Sequence, residues 1–244
     1  MPVHDAATVV LLRDSPRGIE AWLLTRVHRI AFASGMTVFP GGRVDAADAS
    51  LPWVGRSAAE FAGDFGCPPE LAAALVGASI RETFEETGVL LTAPPADLSE
   101  RQPEVEAGTL DFGTLLREHG LAIDADRVRG WARWVTPEGE SRRYDTRFFV
   151  ALLPDGAQAA DLTTESSVAA WVPIAQALAE VAAGERPMLP PTTAVLRSLL
   201  DFATVADVLA AAPARSLAPV APRLKVVGDA VQVELPDGTS VRIR

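Results

Sequence analysis

Arg81-Glu82-Thr83-Phe84-Glu85-Glu86-Thr87-Gly88 is the stretch on which the reading of this chain turns. A helix advances 100° per residue, so Glu82, Glu85 and Glu86, at i, i+3 and i+4, share one face. Phe84 points the other way. Three carboxylates crowded together repel by a few tenths of a kcal/mol per pair. Arg81, four residues before Glu85, offsets part of that. The crowding makes sense if a hard divalent cation collects the oxygens; Mg²⁺ takes carboxylate and phosphate oxygens and keeps several waters. A solvated acidic helix face is the plainer reading of any such cluster. Here the cluster ends a helix that follows a Phe39-Pro40-Gly41-Gly42 turn and precedes Val89-Leu90-Leu91, expected to be a short buried strand.

Working outward, the helix is expected over residues 69–87. Pro68 and Pro69 suit a first turn and Gly88 the position past the last one. Ala73, Gly77, Ile80 and Phe84 form one apolar stripe facing a core. Upstream, residues 6–12 and 19–25 are β-rich runs around Asp14-Ser15-Pro16-Arg17-Gly18, which predicts a hairpin. Adjacent glycines at Gly41 and Gly42 mark backbone that bends sharply or approaches something closely. Residues 43–68, with Pro52, Gly55, Gly63 and Gly66, read as an irregular or short-helical insertion.

Downstream, a helix is expected over 109–118, closed by Gly120. Strands are expected over 131–135, 146–153 and 168–172. An alanine-rich helix follows over 173–183, and a last helix runs from Pro190 to about Leu209. Residues 211–222 read as an Ala/Pro linker. Residues 223–244 alternate apolar and polar with Gly-Asp and Asp-Gly turns, a small C-terminal β-meander. The main domain is thus expected to be 1–210.

The whole chain of 244 residues is 48 % hydrophobic and 22 % charged, a globular composition. No apolar run approaches the roughly 20 residues that cross a bilayer, so no membrane role is expected. The start, MPVHDAATVV, lacks a secretory pattern. One cysteine, Cys67, excludes an internal disulfide and argues against a thiolate zinc site. A formal charge of -10 argues against bulk nucleic-acid binding, though not against a small phosphate substrate screened by a metal. These features together suggest a soluble cytoplasmic protein.

RETFEETGV, residues 81–89, resembles the second half of the Nudix hydrolase box, G-x5-E-x7-R-E-U-x-E-E-x-G-U with U apolar. Thr83 stands where the first U is apolar. The box glycine corresponds to Gly41 or Gly42, with about two dozen extra residues before Arg81. Eight residues before Arg81, where the isolated glutamate would fall, stands Ala73. Glu70 lies three positions earlier, about 300° around the helix. The divided box is similar to the subgroup that includes the peroxisomal coenzyme A diphosphatases. Further matching stretches are VFPGGRVDAAD (38–48), ASIRETFEETGVLL (78–91), RRYDTRFFVALLP (142–154) and ERPMLPPTTAVLRSL (185–199). Leu23-Leu24-Thr25-Arg26 and Gly35 to Gly42 match part of a coenzyme A signature.

The resemblance implies an α/β fold, a Nudix-type α/β/α sandwich with a mixed central sheet, and dependence on Mg²⁺ or Mn²⁺. It implies hydrolysis of a nucleoside diphosphate linked to another moiety, first coenzyme A or acyl-coenzyme A. ADP-ribose, NADH or oxidised nucleotides are alternatives within the enzyme class, and a non-catalytic ligand-sensing module lies outside it. Glu85 and Glu86 are expected as metal ligands, Glu82 as ligand or general base, and Arg81 as the partner that orients Glu85. Backbone at Gly41 and Gly42 can approach metal or phosphate. Arg26, His28, Arg29 and Arg43 flank the glycine turn, with Arg26 and Arg43 favoured as substrate contacts. Glu165 is a candidate distal carboxylate. Trp22, Trp131, Trp134 and Trp171 fit core packing better than a base-stacking wall. Pairing of the tail strands across a two-fold axis leaves a homodimer open, and folding back onto the parent sheet is the alternative.

Overall fold

The computed structural model describes residues 2–26, 35–160, 166–227, 230–234 and 240–242. Its centre is strand β1 (Val3–Ser15), whose apolar run AATVVLL is buried because both faces of the sheet are covered. Ala7, Val9 and Leu11 face one apolar cluster, Val10 and Leu12 the other. β2 (Gly18–Arg26) folds back antiparallel with Ser15 opposite Gly18, the hairpin that the turn residues call for. Two short strands, β3 (Thr37–Val38) and β4 (Gly41–Arg43), pair with β2 and β1. A 3₁₀ turn (Ala46–Ser50), β5 (Trp53–Val54) and helix α1 (Ala58–Phe65) follow, and then helix α2 (Pro69–Thr87).

The chain continues through β6 (Thr92–Ala93), α3 (Gln102–Glu106), α4 (Phe112–Glu118) and β7 (Ala122–Asp124) to β8 (Val128–Val135), β9 (Arg143–Leu152) and β10 (Ser166–Pro173). The main sheet runs β10-β2-β1-β9-β8; β1 and β9 are parallel and the other pairings antiparallel, so the sheet is mixed. α1 and α2 pack on one face. α5 (Ile174–Ala182), α6 (Pro190–Arg197) and α7 (Val205–Ala211) cover the other, where Trp131 and Trp134 are buried with Val195, Leu196 and Val208. This is the α/β/α sandwich. Strands β11 (Arg223–Val227), β12 (Ala230–Glu234) and β13 (Ser240–Arg242) form an antiparallel sheet of their own, and among the described residues they have no pairing with the parent sheet. Among the described residues, no helix is long and apolar enough to cross a membrane.

Several expectations are corrected. Val89–Leu91 is buried but not a strand; pairing begins at Thr92, and the Leu91 carbonyl accepts from the Asp124 amide of β7. The helix expected from residue 109 starts at Phe112, because Asp111 caps it by accepting the Thr114 amide. The last helix is two helices. Thr204 and Asp207 form a capping box that starts α7 afresh after the turn that follows Arg197. The stripe on α2 is broader than one face: Ala73 is only half-buried, whereas Ala72, Leu75 and Val76 enter the core. Gly77 abuts the Asp48 carbonyl so closely that a Cβ would collide with it. Residues 212–220, within the stretch read as a linker, lie along β8. Val220 donates its amide to Arg133 O, and the Arg215 guanidinium stacks 3.9 Å from the centre of the Trp131 ring.

The stretch read as an insertion also builds core. Trp53 meets Phe61 edge-on, Phe61 stacks on Phe65, and Phe65 meets Phe149 of β9. α1 is started by Ser57, whose amide donates to the Glu60 carboxylate while its Oγ accepts the Glu60 amide. Ser57→Ala should cost about 1 kcal/mol, lowering Tm by roughly 2–4 °C for a chain of this size. Thermal unfolding followed by circular dichroism checks this, and an unchanged Tm would mean that α1 is peripheral to the fold.

Candidate active site

The carboxylate cluster sits where α2 runs into the glycine turn. α2 ends because Gly88 turns left-handed and returns its amide to Phe84 O at 2.8 Å. Gln102 of α3 donates its side-chain amide to the Glu85 carbonyl, one of the helix-end acceptors without an intrahelical partner. Behind the cluster, Thr83 lies fully buried with its hydroxyl on Ser79 O, and Thr87 repeats the bond onto Thr83 O. That satisfied hydroxyl explains how threonine occupies a position apolar in the box.

β4 supplies the opposite wall. The Gly41 amide donates to Glu86 Oε2 at 2.9 Å. Gly42 faces Glu82, and a Cβ there would stand 2.5 Å from its Oε1. Only glycine lets the turn lie flat against that carboxylate.

Arg81 stands at the centre. Its Nη1 donates to Glu82 Oε1 at 2.8 Å and to Glu85 Oε2 at 3.0 Å. Nε and Nη2 grip both oxygens of Asp48, at 2.8 and 3.0 Å, and Nη2 also reaches the Arg43 carbonyl at 3.0 Å. The bond to Glu85 joins the pair that the sequence sets four residues apart on one helix face. Burial works against the guanidinium charge, but Asp48, Glu82 and Glu85 outweigh it and raise its pKa. Burial raises the pKa of Glu82 to about 7, with Arg81 pulling it back only in part. Glu85 is shifted upward for the same first reason.

Asp48 was not expected in the site. It is 2 % exposed, closes the first turn of the 3₁₀ segment by accepting the Asp45 amide, and anchors Arg81. The signal was present: Asp48 is six positions after Gly42, the G-x5-acid spacing, with the extra residues inserted after it. Counting backward from Arg81 instead led to Ala73 and Glu70. Glu70 is exposed at the start of α2, twelve residues or about 18 Å from Glu82, and does not reach the cluster.

Arg43 contributes its carbonyl to Arg81, while its guanidinium turns outward and donates to His4 Nδ1 at 3.3 Å. His28, Arg29, Glu165 and the side chain of Arg26 lie outside the described residues. The tryptophans are structural: Trp22, Trp131 and Trp134 are buried, and Trp171 packs edge-on against Trp22. Burial raises the pKa of Cys67, which leaves its thiol protonated and a poor nucleophile.

The donor set suits a hard divalent ion in chemistry: three carboxylates, two of them focused on one cationic nitrogen. Among the described residues, no three acidic, histidine or cysteine side chains stand grouped as a ready-made metal site. Arg81 Nη1 occupies the point on which Glu82 and Glu85 converge, and Glu86 is turned to Gly41.

The family model of the NUDT19 Nudix domain matches residues 58–199, more than half of the chain. The chain belongs to this Nudix family. Acyl-coenzyme A diphosphatase NUDT19 of Gallus gallus is 30 % identical over 208 residues, covering 62 % of this Nudix chain and 55 % of that protein. The Homo sapiens protein of the same name is 27 % identical over 236 residues, covering 78 % and 63 %. The match thus spans little more than half the length of these curated relatives. A crystal structure of a Nudix hydrolase from Alicyclobacillus acidocaldarius is similar with a TM-score of 0.73, at 26 % identity, covering 86 % of this chain and 96 % of that one. The sandwich is therefore the Nudix fold.

Proposed function

We propose that this chain is a metal-dependent Nudix diphosphatase that hydrolyses coenzyme A or acyl-coenzyme A to 3′,5′-ADP and (acyl-)4′-phosphopantetheine. The observation that carries the reading is the convergence of Glu82 and Glu85 on one cationic nitrogen, with Glu86 beside them against the Gly41–Gly42 turn. The substrate class rests on the acyl-coenzyme A diphosphatases among the relatives.

In this reading Glu85 and Glu86, with Glu82 as a third ligand or as the general base, would hold Mg²⁺ or Mn²⁺, which when bound supplies Lewis-acid charge against the diphosphate oxygens. As the base, Glu82 would take the proton of the attacking water as one P–O bond forms and the other breaks; the burial that favours its protonated form suits that role. Arg81, fixed by Asp48, keeps Glu82 and Glu85 turned inward. The backbone of Gly41 and Gly42 brings the diphosphate close, because no side chain intervenes. A lone cysteine, precluding an internal disulfide, fits a cytoplasmic setting.

The test is a panel of coenzyme A, an acyl-coenzyme A, ADP-ribose and NADH, each with Mg²⁺ or Mn²⁺ and scored by product identity. Release of 3′,5′-ADP supports the proposal. Cleavage of ADP-ribose or NADH with coenzyme A intact removes the specificity, and cleavage of none removes the enzyme.

A further inference from the structure

Beside the carboxylates, at the edge where β1, β4 and β9 come together, lies a cavity of about 270 Å³. His4, Arg43, Ser141, Arg142, Arg143 and Tyr144 line it. In a chain of formal charge -10, three arginines and a histidine around one opening are a local inversion of sign. The fold puts them there. Parallel register sets His4 beside Tyr144, their rings 6.4 Å apart, and antiparallel register sets Arg43 beside Ala6, two positions along from His4.

The charges are also underused. Arg142 is exposed and has no hydrogen-bond or ion-pair partner among the described residues. The side-chain partner that the Arg43 guanidinium finds among the described residues is the His4 ring, not a carboxylate. Arg143 donates its Nε to the Thr136 carbonyl, one of the five N–H donors of a guanidinium. Glu138 and Glu140 line an adjoining cavity that shares Ser141 and Arg143, and so bound the basic opening on one side.

We propose that this cavity binds a phosphomonoester carried on the ribose of the nucleotide substrate. Arg43 is the link. Its carbonyl is tied to Arg81 within the carboxylate cluster, while its guanidinium opens into the basic cavity. The cavity is thus one residue from the turn that would receive the diphosphate. A nucleoside 3′-phosphate 5′-diphosphate presents its two charged groups across a single ribose and can engage both places at once. Arginine's planar fork matches the dianion with two parallel bonds.

The inference rests on the diphosphatase reading for its substrate, but its test does not. Binding of 3′,5′-ADP, 5′-AMP and inorganic phosphate is measured by calorimetry without metal, on wild type and on Arg142→Ala and Arg43→Ala. Wild type is expected to bind 3′,5′-ADP about tenfold tighter than 5′-AMP, and each variant to lose most of that preference. Equal binding of the two nucleotides by wild type overturns the proposal, as does an unchanged preference in both variants. Inorganic phosphate binding as tightly as 3′,5′-ADP overturns the substrate subsite and leaves a site for free phosphate only. Turnover of coenzyme A against 3′-dephospho-coenzyme A then separates the two claims. Equal kcat/KM sinks the subsite while the diphosphatase stands. A retained 3′,5′-ADP preference without turnover of either substrate sinks the diphosphatase while the subsite stands.

Discussion

Glu82→Gln is expected to lower kcat by roughly 10²–10⁴ and, in metal-free protein at pH 8, to make the fold more stable. The two effects have one cause. Glu82 is largely buried against Gly42, its side chain 13 % exposed, with a pKa raised to about 7, well above the unfolded value of 4.5. An acid shifted upward contributes stability that is fully present below pH 4.5 and lost as pH rises through about 7. Above that, the folded chain holds an ionised carboxylate in a place that disfavours it. Glutamine keeps the shape and can still accept from Arg81, yet never ionises. At about 1.4 kcal/mol per unit, the gain above pH 7 is on the order of 3 kcal/mol, and it vanishes below pH 4.5. Chemical denaturation of both proteins at pH 4 and pH 8, beside kcat at saturating Mg²⁺, reads it out. Lost stability at pH 8 would show that Glu82 is held for structure; retained turnover would move the proton acceptor elsewhere.

Much of the frame was legible because its residues obey local rules. The middle of β1, residues 6–12, reads almost wholly apolar because helices cover both faces, and Ser15 to Gly18 can only turn. The face of Glu82, Glu85 and Glu86 follows from helical period alone. What escaped was non-local. Asp48 reaches Arg81 across 33 positions of sequence, and the intervening glycines and prolines made residues 43–68 look like an excursion. Phe61 and Phe65, four apart on one helix, were the overlooked sign that this stretch returns to the core. The break before α7 was missed although Thr204 and Asp207 spell a capping box, because the apolar residues on either side sustain a helical rhythm across it. Arg43 shows the deeper limit. Its nearness to the glycine turn marked it for the site, but only the register of three strands reveals that its side chain leaves the carboxylates for a basic cavity of their neighbours.

Arg81→Ala is expected to cost about 3–5 kcal/mol, a fall in Tm of roughly 10 °C, because it strands Asp48, Glu82 and Glu85 with no counter-charge. Asp48→Asn should cost less, about 2–3 kcal/mol, since Arg81 keeps Glu82 and Glu85. The double variant should cost little more than Arg81→Ala alone, because the two residues share one set of bonds. Arg81→Lys restores charge but not the two-pronged grip on Asp48, so it should recover only part of the loss. Divalent ion makes the sharper test. If Arg81 Nη1 stands at the point on which Glu82 and Glu85 converge, removing it exposes that point to any cation the carboxylates select. Millimolar Mg²⁺ should then raise the Tm of Arg81→Ala by several degrees more than that of wild type, while the same ionic strength of NaCl should not. Equal shifts for both proteins would mean that the carboxylates and the guanidinium form a closed structural knot, and that the ion is held elsewhere.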